Sequence, residues 1–116
     1  MSADRIAALK ALIAYELPVE PTLAKLALFR WGCEQPLIAL THKDVVCILQ
    51  RHMVGALSAE QLTDWADLIE CREDIELASE PPDISAAISR LANPALYGPV
   101  TRTLVAELSA AFGTAV

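Results

Sequence analysis

A chain of 116 residues that is 54% apolar but only 5% aromatic suits one domain with a core of Leu, Ile, Val and Ala, large enough to bury roughly two thirds of its unfolded surface. Its net charge of −6 is concentrated, because residues 60–83 hold nine acids against one base, a local charge of −8. Such a field repels nucleic acid and anionic lipid, so no nucleic acid and no membrane are expected as partners, and a basic protein is the favoured one.

Other function classes fall away on composition. Cys33, Cys47 and Cys71 are an odd number at wide spacings, which is no disulfide framework, and they read as reduced thiols. The first residues, Met1 to Ile6, lack the basic start and apolar run of a signal peptide. No stretch reaches the ~20 apolar residues that cross a bilayer. A cytoplasmic location is expected.

The first predicted helix covers residues 2–15, with Ile6, Leu9, Ile13 and Leu17 along one side. Pro18 and Pro21 break the pattern, and Pro21 suits the first turn of a second helix over residues 21–31. That helix is apolar nearly all round, through Leu23, Leu26, Ala27 and Trp31 on one side and Leu28 and Phe29 on the other, so a central position is predicted. Gly32 stops it. Residues 33–40 form a connection whose apolar end, Leu37 to Leu40, packs on the core.

Thr41 caps the third helix, with Asp44 at the third position and Leu40 and Val45 as a hydrophobic staple. Val45, Ile48, Leu49, His52 and Met53 form its inner face. Gly55 stops it. Ser58 and Gln61 are a second capping box, Leu57 and Leu62 a second staple, and Leu62, Trp65, Ala66 and Ile69 an apolar stripe. Opposite that stripe, at steps of four, three, four and three, lie Glu60, Asp64, Asp67, Cys71 and Asp74.

Residues 75–82 read as an acidic linker ending in Pro81-Pro82. A fifth helix over residues 82–92 points Ile84, Ala87, Ile88 and Leu91 inward and stops at Asn93-Pro94. After a loop over residues 95–99, the last helix runs over residues 100–112 with Leu104, Leu108, Ala111 and Phe112 inward, closed by Gly113. The fold class is therefore all-α: a compact single-domain bundle of five to six helices over residues 1–116.

Catalytic readings find little support. His42, Cys47 and His52 are possible metal ligands, yet steps of five turn each side chain by about 140° from the last. His42 is expected on the surface and His52 at the core edge. Asp64, Asp67, Glu70 and Glu73 stand at steps of three, as magnesium-binding acids do in helical hydrolases, but no second helix offers a matching pair. No Gly-x-Ser-x-Gly elbow or Gly-rich phosphate loop is present. Nothing in the sequence marks a cysteine as an activated nucleophile. No catalytic residue, metal or cofactor is assigned.

The acidic strip remains. Its uncompensated charge repels itself, a cost that meeting a positive surface removes. Residues 55–66 and 72–75, and the block Leu91 to Thr101, resemble a pattern in small acidic bacterial proteins. That set is similar to the immunity proteins of bacteriocin and contact-dependent toxin systems. The resemblance implies a protein-binding role, such as neutralising a basic toxin nuclease. The expected function is non-enzymatic binding of a basic protein through Glu60, Asp64, Asp67, Glu70, Glu73 and Asp74. The alternatives are a homo-oligomer or assembly subunit joined through apolar surface such as Val54 and Cys47, and a metal-dependent hydrolase.

Overall fold

The computed structural model describes residues 2–29 and 35–114. These form α1 (Ser2–Ala14), α2 (Glu20–Leu26), β1 (Ile38–Leu40), α3 (His42–Met53), α4 (Ala59–Glu70), β2 (Ile75–Leu77), α5 (Ile84–Ala92), α6 (Pro94–Tyr97) and α7 (Arg102–Gly113). Trp31, the Gly32 stop and Cys33 lie outside the described residues.

Both predicted capping boxes are present. Thr41 Oγ1 accepts the Asp44 amide while Asp44 accepts the Thr41 amide, which starts α3. Ser58 and Gln61 start α4 in the same reciprocal way. Between them, Gly55 (φ 85°) ends α3. The Gly55 amide donates to the His52 carbonyl and the Ala56 amide to that of Arg51, the paired bonds of a Schellman motif. A turn that tight takes a left-handed residue, and glycine adopts it without penalty.

The core gathers the predicted stripes. Val45, Ile48 and Leu49 of α3, Leu62, Trp65, Ala66 and Ile69 of α4, and Ile84, Ala87, Ile88 and Leu91 of α5 are all buried in one cluster with Leu9, Leu12 and Ile13 of α1. Trp65 is fully buried and donates its indole N–H to the Ile13 carbonyl at 3.1 Å, which satisfies the one polar atom it carries inward. The residues of both expected staples, Leu40, Val45, Leu57 and Leu62, are buried in the same cluster.

The fold is mostly helical without being purely so. The residues predicted as connection and linker contain β1 and β2, which pair in parallel with Ile38 opposite Ile75 and Leu40 opposite Leu77. Ala39 and Glu76, opposite each other, point outward. The connection through α3 and α4 supplies the long crossover that a parallel pair requires. A further one-turn helix, α6, occupies part of the predicted loop.

Several individual expectations are corrected. α2 is peripheral, not central: Leu28, just beyond it, is 82% exposed, and within it only Thr22 and Leu26 are buried. The helix ends at Leu26, so the all-round apolar pattern spans a turn as well as a helix. Leu17 and Ala111 are exposed, and Val105 takes the inward place on α7. Gly113 lies within α7, and Thr101 caps its start by accepting the Leu104 amide. His42 is buried rather than on the surface. Its Nε2 lies 2.8 Å from the carbonyl oxygens of both Glu80 and Pro82, and its ring tilts against Phe112. It thereby ties the start of α3 to the segment before α5. His52 is at the core edge as expected, with Nδ1 2.9 Å from the Leu57 carbonyl.

Candidate docking face

α4 places its acids by helical geometry. At about 100° per residue, Glu60, Asp64 and Asp67 fall within about 60° of one another, opposite the buried Leu62, Trp65 and Ile69. Glu70 falls about 80° to one side and lies near Asn93, whose Nδ2 is 3.5 Å from it. All four are exposed, as is Glu73 beyond the helix end. Among the described residues no ion pair involves any of these five. The last turn of α4 holds Glu70 and no base, so its acid opposes the helix dipole instead of complementing it.

Asp74 is not part of this face. It is fully buried, with its carboxylate gripped by Arg5 at 2.9 Å and Arg72 at 2.8 Å. The reason is that α4 ends at Glu70, so helical spacing no longer applies four residues later. There the chain turns to enter β2, and the Asp74 carbonyl accepts the amides of Leu37 and Ile38. Burial by itself pushes the Asp74 carboxyl upward, but the hydrogen bonds and charges of Arg72 and Arg5 outweigh it and hold the group below the usual carboxylate range. Its role is to clamp α1 to the start of the strand pair. Arg5 also stands 5.8 Å over the Phe29 ring, so the same clamp reaches the chain beyond α2.

The acids of α4 do not stand on a convex surface alone. Between α2 and α4 lie three adjoining recesses of about 570, 280 and 460 Å³. The first two share Tyr15, Val19 and Asp64, and the last two share Leu23, Asp67 and Leu68. Together they make a groove with an apolar floor and, at its Tyr15 end, carboxylates from both walls, Asp64 from α4 and Glu20 from α2, with Asp67 at its middle and Arg72 at its far end. Glu20 was not foreseen as a site residue. Nothing in its neighbourhood of sequence links it to α4.

Tyr15 is set into that groove. The Tyr15 and Glu16 amides donate to the carbonyls of Leu12 and Ala11, so α1 ends in a left-handed turn with Tyr15 at φ 50°. A side chain there costs roughly 1–2 kcal/mol relative to glycine. The ring is nevertheless buried, and Arg51 donates to the carbonyls of Ala14 and Tyr15 at 2.7 and 3.0 Å, which holds the turn. Burial pushes the phenol pKa up, and the negative charges of Asp64 and Glu20 push it further, with Arg51 partly offsetting them. The groove is therefore an acidic environment as felt by a group inside it.

Among the described residues no group of three or more His, Cys, Asp or Glu side chains is placed to hold a metal ion. No described helix is long and apolar enough to cross a membrane. Cys47, Cys71 and Val54 are exposed. Comparison of the chain with protein-family models, curated proteins and solved structures finds no match.

Proposed function

We propose that this chain is a non-enzymatic binding protein that uses the outer face of α4 to dock a basic protein. In this reading Glu60, Asp64, Asp67, Glu70 and Glu73 oppose Lys and Arg of the partner. The proposed partner class is a basic toxin such as a nuclease, held in the manner of an immunity protein. The observation that carries the reading is that these five acids are exposed and unpaired by any cation of the described chain. Exposed like charges repel, and an oppositely charged surface relieves that repulsion while accelerating encounter.

The test is capture of a partner from the native host at low and at high salt, followed by association kinetics on the identified protein. The expected result is a basic protein whose association rate falls steeply with salt. Reversing Asp64 and Asp67 to Lys should slow association further. A partner whose binding ignores both salt and charge reversal refutes the reading.

A further inference from the structure

We propose that the groove between α2 and α4 seats an amphipathic helix of the partner, its apolar residues on Val19, Leu23 and Leu68 and its Lys or Arg against Glu20, Asp64 and Asp67. The inference rests on the docking role proposed above and names the partner element that fits it. Val19, Leu23 and Leu68 are half-buried, packed against the core on one side and open to the groove on the other. A flat acidic face needs only charge from its partner. A recess with an apolar floor also needs an apolar residue to fill it, and here both are offered within one strip.

Three observations select the occupant. At the Tyr15 end, carboxylates on both walls, Glu20 and Asp64, disfavour an acidic segment and favour a basic one. They also oppose a second copy of this chain, whose own net charge is −6. The α4 wall is helical and the other is the short α2 with the turns on either side of it, so an extended peptide finds no strand edge to pair with, whereas a helix meets the groove through side chains. From Gln61 to Cys71 the α4 wall runs about 15 Å, a little under three helical turns. A helix with Lys or Arg flanking an apolar stripe at three- and four-residue spacing matches that length and pattern.

The probe is a synthetic peptide of roughly 15 residues, about four turns, made of Leu and Lys with Leu at helical spacing. Its control is a scrambled peptide of the same composition and charge. Binding to the full chain is read by fluorescence anisotropy and by amide shifts in NMR spectra. The patterned peptide should bind at least about tenfold more tightly than the scrambled one, with shifts centred on Val19, Leu23, Asp64 and Leu68. Reversing Asp64 and Asp67 to Lys should weaken it by a similar factor, and Leu68→Ser should remove the advantage of pattern over scramble, with circular dichroism unchanged.

Equal, salt-dependent binding of both peptides to the α4 acids overturns the groove and leaves the docking face standing. Failure of both to bind at low salt counts against the two together. Shifts centred elsewhere, or a concentration-dependent dimer in sedimentation that Leu23→Ser abolishes, assign the groove to another use and sink the inference.

Discussion

Asp74 carries more of this molecule than its place in an acidic run suggests. With Arg5 and Arg72 it joins the first helix, the end of α4 and the start of β2. Removing the carboxylate takes the shared anionic partner from two largely buried cations, and a buried pair broken from one side costs about 3–5 kcal/mol. Asp74→Ala should lower the unfolding free energy on that scale in urea. The folded pKa lies below the unfolded one, so this stabilisation is complete above the unfolded value near pH ~4. It is lost as pH falls through the folded value. Below pH ~4 the native protein should therefore lose stability more steeply than Asp74→Asn, measured by denaturation across that range.

Tyr15 gives a second residue-scale expectation with the opposite direction of pH. Its folded pKa is raised, so its contribution is complete below the unfolded value near pH ~10 and is lost as pH rises through the folded one. In an ultraviolet titration Tyr15 should ionise later than a free tyrosine. Asp64→Asn should bring that ionisation back toward the ordinary value, because it removes one of the two nearby charges that raise it. A raised phenol that Asp64→Asn leaves unchanged means that Asp64 and Tyr15 do not share the groove.

At the scale of elements, α3 and α4 were the most legible parts of the chain, for a local physical reason. A capping box, a staple and a glycine stop each act within about four residues, so their signals sit side by side in sequence. Ser58→Ala should cost about 0.5–2 kcal/mol of stability by leaving the Gln61 amide unpaired, read from the urea midpoint. The end of α1 was less legible because the left-handed position that usually falls to glycine is occupied by Tyr15. The strands were missed because three residues cannot establish a period. Ile75-Glu76-Leu77 alternates as a strand should, but only pairing with Ile38–Leu40 makes the alternation meaningful. α2 was misjudged because apolar residues on every side signal burial only when the whole run is helical, and α2 ends at Leu26.

For the molecule as a whole, Trp65 is the point where element and core meet. It is the largest of the fully buried side chains, and its indole bond to Ile13 reaches across 52 positions. Trp65→Ala should cost about 3–5 kcal/mol, through the cavity it leaves and the lost bond. Thermal denaturation should show this as a large drop in midpoint. Should the midpoint barely move, α1 and α4 do not pack through this residue.

The sequence by itself determined where α3 and α4 begin, which faces of α3, α4 and α5 turn inward, and that Glu60, Asp64 and Asp67 share an outer face. Those properties follow from capping and periodicity, which operate along the chain. Only the tertiary structure decided that Asp74 turns inward to an arginine 69 positions away, that Glu20 joins the acids of α4, and that two short segments pair as strands. These depend on which distant segments meet, and that is settled by packing the faces together rather than by any neighbouring residue.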